Sequence, residues 1–126
     1  MLTKFTPDGM PVSPAYSQGA LAVGAQKMLF ISGQVGVLPD GSVPDDVGEQ
    51  ALAAIANLNR VLEGAGMGPE NLAKISIYLT DESDLPAFMQ AAGGTLTSPP
   101  PATTLLLVKA LAASPLKIEI EGIAVQ

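Results

Sequence analysis

The chain has 126 residues, a normal size for one hydrophobic core, and we expect residues 1–126 to form a single domain. It contains neither cysteine nor histidine, which excludes thiol nucleophiles, imidazole catalysis and zinc–thiolate sites and leaves carboxylates, hydroxyls, lysines, backbone groups and bound water for any chemistry. Twelve acidic against six basic residues give a net charge of −6, which argues against nucleic-acid binding because phosphate contacts need clustered basic side chains.

The apolar residues indicate neither a secretion signal nor a membrane span. Residues 1–17 lack a charged start followed by an apolar segment, as a signal peptide would require. Nowhere does the chain run for the roughly 18 apolar residues that a membrane-spanning helix needs. We therefore expect a cytoplasmic protein without a membrane partner.

The first half of the chain predicts two strands and a long helix. Residues 19–24 (GALAVG) and 27–34 (KMLFISGQ) are typical of short strands, and a loop rich in glycine, proline and aspartate follows them. Asp46 and Glu49 have the spacing of a capping box, and Gly64 and Gly66 end the predicted helix. Its apolar residues recur at helical period: Ala51, Ile55, Leu58 and Leu62.

The second half predicts a strand, a shorter helix and two further strands. Residues 72–80 alternate between apolar and polar, and Ser83 or Asp84 can cap the helix that follows. The apolar stripe of that helix is formed by Leu85, Phe88, Met89 and Ala92. Residues 103–108 (TTLLLV) predict a strand that is apolar on both faces, and residues 116–125 (LKIEIEGIAV) predict another alternating strand.

The order of these elements, ββαβαββ, predicts an α+β fold. It is a two-layer sandwich in which two helices cover one face of a mixed sheet, with hairpins at both ends of the chain. Two helices leave the other face of the sheet uncovered, and the strand at 103–108 places leucines on both faces. Association of sheet faces in a homo-oligomer, with a pocket between subunits, is therefore expected.

Four stretches in series resemble the RidA/YjgF family, the reactive intermediate deaminases, which is also labelled endoribonuclease L-PSP. They are AYSQG at 15–19, FISGQVG at 30–36, the block from 49 to 88, and KIEIEGIAV at 117–125. Together they extend over nearly the whole chain. The resemblance implies a chorismate-mutase-like α+β fold, a homotrimer with clefts for a small-molecule ligand between its subunits, and no cofactor or metal.

The resemblance also implies a chemistry and a set of site residues. Deaminases of this family hydrolyse enamines and imines such as 2-aminoacrylate to a 2-oxo acid and ammonia. Their pattern implies that Tyr16 lines the cleft with Ser32 and Gly33, and that Glu119 holds the attacking water as the catalytic carboxylate. An arginine that follows a Pro-Ala pair clamps the substrate carboxylate through two hydrogen bonds.

This chain lacks that arginine, because Ala102 is followed by Thr103 and Thr104. Thr103 offers one hydroxyl and a backbone amide, which suits a neutral or weakly polar ligand better than a carboxylate. Arg60 lies in the long helix, on the side expected to face solvent, and is not a substitute. The asparagine that the family often carries in the second helix falls at Met89, and the loop after that helix is shorter than usual.

Ordinary structural roles remain open for every one of these site residues. Tyr16 also fits a loop aromatic, Ser32 and Gly33 a strand end, Glu119 the solvated face of a strand, and the two threonines plain strand positions. The function is correspondingly open between an imine or enamine hydrolase with an altered substrate and a non-catalytic trimer that binds or protects a small molecule. Translation inhibition and RNA cleavage, two other functions named in the family, would need a basic surface that this composition does not supply.

Overall fold

The computed structural model describes residues 1–95 and 97–126. Within that part of the chain, six strands, two α-helices and two 3₁₀ turns follow one another. In chain order they are β1 (Leu2–Phe5), β2 (Gly19–Ala22), β3 (Met28–Val35), α1 (Val47–Gly64), a 3₁₀ turn (Pro69–Asn71), β4 (Leu72–Leu79), a second 3₁₀ turn (Glu82–Asp84), α2 (Leu85–Gly93), β5 (Ala102–Leu107) and β6 (Ile118–Val125).

The main sheet has four strands in the order β3-β6-β4-β5. β6 runs antiparallel to β3 and β4, whereas β4 and β5 are parallel because α2 carries the chain back between them. The buried side chains of both helices belong to one hydrophobic core together with one face of this sheet. The predicted α+β architecture, a mixed sheet with two helices on one face, is therefore confirmed.

Strand pairing differs from the prediction at both ends of the chain. β1 was not predicted, and β2 pairs with it in a separate two-stranded sheet instead of forming a hairpin with β3. The backbone N–H groups of Gln26 and Lys27 both donate to the carbonyl of Gln126, so the chain enters the main sheet beside the end of β6. β5 and β6 are separated by β4, and residues 108–117 provide enough chain to cross it.

The helix boundaries follow local chemistry. Asp46 Oδ2 accepts a hydrogen bond of 3.0 Å from the backbone N–H of Glu49, as predicted for the start of α1, and Gly66 with φ +71° follows its end. The 3₁₀ turn before α2 is capped by Asp81, whose Oδ1 accepts from the N–H of Ser83 at 2.9 Å. For α2 itself, Asp84, one of the two residues predicted as its cap, holds the N-cap position, but its side chain makes no capping hydrogen bond.

The core lies between the helices and the covered face of the sheet. Phe88 and Ala92 of α2 face it as predicted, but Met89 is 43% exposed, so the apolar stripe of α2 is narrower than the sequence indicated. Large side chains fill the centre, among them Leu62, Leu79 and Ile118.

One polar side chain, Gln50 on α1, is fully buried within this core. Its Nε2 donates to the carbonyls of Pro44 and Pro115 at 2.8 and 2.9 Å, and its Oε1 accepts from the N–H of Lys117 at 2.9 Å. Gly36 packs against it so closely that a Cβ there would lie 2.7 Å from the Cα of Gln50. Gln50 therefore connects α1 to the loop that precedes this helix and to the loop that precedes β6.

Several large apolar side chains are exposed on the opposite face of the main sheet. Phe30 on β3 is 70% exposed, Met28 57% and Leu106 on β5 50%. Phe30 is paired in register with Ile123 of β6, which extends the same apolar surface. We call this surface the open face, and its apolar side chains make it a candidate contact between subunits.

Candidate functional site

The site residues suggested by the sequence fall into two groups on opposite faces of the sheet. Ser32, Gly33 and Glu119 belong to the open face, because their neighbours Ile31 and Ile120 point into the core. Tyr16 and Thr103 instead line a large cavity on the helix side. Thr104 lies on the open face, where its Oγ1 accepts a hydrogen bond of 2.6 Å from Lys74 Nζ.

On the open face, the carboxylate of Glu119 rests directly over Gly33. A Cβ built on Gly33 would lie 1.7 Å from Glu119 Oε1, so only glycine leaves room for this conformation. Glu119 is half-buried, and no hydrogen bond from residues 1–95 or 97–126 occupies its carboxylate. It is therefore an acceptor available to a water or a ligand.

Two residues beside Glu119 were not predicted as part of a site. Tyr78 donates its hydroxyl to Glu121 Oε1 at 2.6 Å, and this hydrogen bond is the main reason that the pKa of Tyr78 is raised above its usual value. With Glu119, Val108 and residues 110–112 they line a shallow recess of about 370 Å³. Tyr78 lies beside Glu119 because β4 pairs with β6 in this register. The sequence does not reveal this pairing, since both strands show the same alternation of apolar and polar residues.

On the helix side, a cavity of about 1190 Å³ lies between both helices and the covered face of β4, β5 and β6. Segments 12–17 and 97–101 enclose it. Ser17 joins these segments, because its Oγ donates to Pro100 O at 2.6 Å and its backbone N–H donates to Pro101 O at 3.1 Å. The run of three prolines thus forms a tethered wall beside the entry to β5. Tyr16, half-buried, stands in the same wall.

Thr103 faces this cavity, but its hydroxyl is not free to donate. Oγ1 donates to the carbonyl of Pro101 at 3.0 Å, and a hydroxyl has a single proton. In this arrangement the Thr103 hydroxyl offers a ligand its acceptor capacity, and a role of Thr103 in binding stays a prediction. Ala102 is joined to Ser17 by an isolated parallel bridge, which fixes the start of β5.

Arg60 is remote from both recesses. It is exposed, as predicted, and its Nη1 donates to Asn57 Oδ1 at 2.6 Å, while Asn57 Nδ2 donates to the carbonyls of Val35 and Val37. It lines neither the cavity nor the open-face recess. The guanidinium thus supports a helix-to-strand contact and does not replace the missing clamp.

The chain is thus a two-layer α+β protein with a recess on each face of one mixed sheet, and known proteins match it over most of its length. The family model described as Endoribonuclease L-PSP matches residues 9–126. The 2-iminobutanoate/2-iminopropanoate deaminase of Rattus norvegicus is 34% identical over 89% of this chain and 80% of its own length. The crystal structure of a Rid-family protein of unknown function from Yersinia pestis matches with a TM-score of 0.86 at 27% identity, covering 99% of this chain and 98% of that one. The chain belongs to the RidA/YjgF family.

Other relatives show how widely the family is distributed. A RutC family protein of Aquifex aeolicus is 42% identical, but the match spans 57% of this chain and about half, 55%, of that protein. The mitochondrial protein mmf2 of Schizosaccharomyces pombe is 37% identical over 94% of this chain and 90% of its own length. Because a relative is mitochondrial, membership of the family does not establish the expected cytoplasmic location. Among the described residues, no helix is long and apolar enough to cross a membrane.

Proposed function

We propose that this protein is a homotrimeric hydrolase of small imines or enamines whose substrate differs from that of the arginine-bearing deaminases. The observation that carries the proposal is the Glu119 carboxylate, which lies half-buried over Gly33 with no hydrogen-bond partner in the described chain. The relatives named 2-iminobutanoate/2-iminopropanoate deaminase supply the reaction class.

The reaction needs little from the protein beyond position and one acid or base. An enamine first tautomerises to its imine. Water then adds to the C=N carbon as Glu119 takes its proton, and the nitrogen is protonated to give a carbinolamine. Cleavage of the C–N bond expels ammonia and leaves a carbonyl. Tyr78, whose hydroxyl donates to Glu121 Oε1, engages one oxygen of the second carboxylate of the recess, whereas both oxygens of Glu119 are available to the water.

The two groups of site residues favour a site completed between subunits. In one chain, the sheet separates Glu119 from Tyr16 and Thr103, whereas a neighbouring copy packed on the open face would bring its own residues to Glu119. The open face has the apolar character of such a contact, with Phe30 70% exposed. The proposed assembly is a homotrimer without nucleic-acid or membrane partners.

Light scattering tests the assembly with a matched pair of variants. The wild type should have a mass near three chains of 12.8 kDa each, and Phe30→Asp should dissociate it, because a charge would be buried at the contact. Leu52→Asp is the control, since Leu52 is an exposed leucine on α1, away from the open face. A monomeric wild type, or a trimer unaffected by Phe30→Asp, would contradict this assembly.

The substrate preference follows from the position that the arginine occupies in other deaminases. The Thr103 hydroxyl donates its proton to the carbonyl of Pro101, so this position offers a substrate carboxylate no bidentate donor. Losing a charge-assisted pair costs about 1.5–3 kcal/mol, or about 10- to 150-fold in rate or affinity. We therefore expect weak hydrolysis of 2-iminobutanoate and a gain of about that size from Thr103→Arg.

A coupled assay tests both the activity and its origin. Threonine dehydratase generates 2-iminobutanoate, and the release of the 2-oxo acid is followed in a buffer that slows the spontaneous reaction. Thr103→Arg should accelerate release, and adding Glu119→Gln to that variant should remove the acceleration. If Thr103→Arg/Glu119→Gln hydrolyses the imine as fast as Thr103→Arg, Glu119 is not the water activator.

A second candidate function, a trimer that binds a small molecule without turnover, is favoured by the engaged hydroxyl of Thr103. In that case Thr103→Arg would gain no hydrolytic activity. Translation inhibition and RNA cleavage receive no support from a chain with twelve acidic and six basic residues.

A further inference from the structure

The cavity on the helix side is much larger than a short imino acid requires. Its volume of about 1190 Å³ exceeds the range of about 300–1,000 Å³ typical of pockets for small organic ligands. Ile75, Ile77, Leu105 and Phe88 are among the side chains that make its walls apolar. A short polar substrate would leave most of this apolar surface without a partner.

The charges around this cavity are strongly asymmetric. Among the described residues that line it, Lys4 of β1 alone carries a positive charge and none carries a carboxylate. This is unexpected in a chain with a net charge of −6, where an average surface would place acids around any opening. The composition of the lining therefore favours a monoanionic ligand over a cationic or neutral one.

The ammonium group of Lys4 has unused capacity. Nζ lies 3.4 Å from the carbonyl of Pro99, a long hydrogen bond and the one bond that it makes within residues 1–95 and 97–126. Burial lowers the pKa of Lys4 below its usual value, and the nearby carboxylate of Glu70 opposes that change. An ammonium with three protons, partly removed from water, gains from a carboxylate that replaces its lost hydration.

We propose that the cavity is a binding site for a monocarboxylate with an extended apolar body, in which Lys4 holds the carboxylate at the mouth and the apolar body lies between the helices and the sheet. The hydroxyl of Tyr16 in the same lining is a secondary polar contact. The cavity shares Tyr16 and Thr103 with the proposed hydrolase site, but binding of the carboxylate does not depend on Glu119, which lies on the other face of the sheet.

Isothermal titration calorimetry with decanoate tests the site directly. We expect one decanoate per chain, and Lys4→Met should weaken its binding at least about tenfold, the loss expected for one charge-assisted hydrogen bond. Lys4→Arg keeps the charge and should retain binding. Lys27→Met is the matched control, because Lys27 is exposed and lines neither recess. Decanol, with a similar tail and no charge, should bind more weakly than decanoate.

The outcomes separate this site from the proposed enzyme. Glu119→Gln should leave decanoate binding unchanged while it removes imine hydrolysis, so either function can fail without the other. No heat of binding with decanoate, equal affinities of decanoate and decanol, or unchanged affinity in Lys4→Met would each overturn the assignment of a carboxylate site at Lys4.

Discussion

The buried amide of Gln50 should be a main determinant of stability, and Gln50→Met tests this with little change in shape. The substitution removes three hydrogen bonds of 2.8–2.9 Å and leaves the N–H of Lys117 and the carbonyls of Pro44 and Pro115 without that partner. An orphaned buried group costs about 1–3 kcal/mol, and the fully buried methionine returns about 1–2 kcal/mol of apolar burial. Because the two carbonyls retain a second lone pair for water, the three groups together should cost about 3 kcal/mol, and the net loss after the gain from methionine should be about 1–2 kcal/mol.

Urea unfolding followed by circular dichroism at 222 nm measures this loss, since the chain has no tryptophan to report it. Protein concentration must be equal for all variants, because dissociation of an oligomer would contribute to the transition. Gln90→Met is the control: Gln90 is exposed on α2, and its replacement should change stability by less than about 0.5 kcal/mol. If Gln50→Met were no less stable than Gln90→Met, the hydrogen bonds of Gln50 would contribute nothing net.

Two further predictions concern the open face. Gly33→Ala should lower any Glu119-dependent hydrolysis by about 100-fold, since the new Cβ displaces the carboxylate by more than 1 Å. It should cost little stability, because the atom that collides with the Cβ is at the end of a flexible side chain. Full activity of Gly33→Ala would show that the observed conformation of Glu119 is not the reactive one. In a variant whose other tyrosine is phenylalanine, absorbance at 295 nm should show Tyr78 ionising above its usual pKa, and adding Glu121→Gln should lower that midpoint. The hydrogen bond to Glu121 favours the neutral phenol of Tyr78. Its contribution to the stability of the fold is therefore present below the pKa of Tyr78 in the unfolded chain and is lost as pH rises through the pKa of Tyr78 in the folded chain. An unchanged midpoint in the Glu121→Gln variant would refute this hydrogen bond as the cause of the raised pKa.

Much of the fold could be predicted because local chemistry and burial agree. The apolar period of α1, its cap at Asp46 and the alternation of residues 72–80 each correspond to a structural element. Strand order was less accessible, because alternation identifies the buried face of a strand but not its neighbour. The insertion of β6 between β3 and β4 brings residues together that are far apart in sequence, such as Tyr78 and Glu121.

The sequence named candidate site residues, but it did not indicate their geometry. The sequence identified Thr103 as the position of the missing arginine, yet it gave no sign that the hydroxyl would donate to Pro101, two residues earlier. The sequence did not indicate a role for Lys4 in ligand binding either. Lys4 lies in a strand that was not predicted, and its proposed role depends on a cavity formed by segments that are distant in sequence. Gln50 is similar, since a glutamine at a buried helical position conflicts with the apolar pattern and is explained only by its three partners.

The alternation of one strand separates the two proposed functions within a single chain. Glu119 points to the open-face recess, whereas the next residue, Ile120, lines the cavity between the helices and the sheet. A small ligand held by Lys4 in the cavity is therefore on the wrong side of the sheet to react with water at Glu119 of the same chain. The proposed hydrolysis therefore depends on a neighbouring subunit, whereas the proposed carboxylate site is formed by one chain. Phe30→Asp should consequently lose hydrolysis and retain decanoate binding, because Phe30 lies on the open face and does not line the cavity. Full hydrolysis by that variant as a monomer would show that one chain holds a complete site.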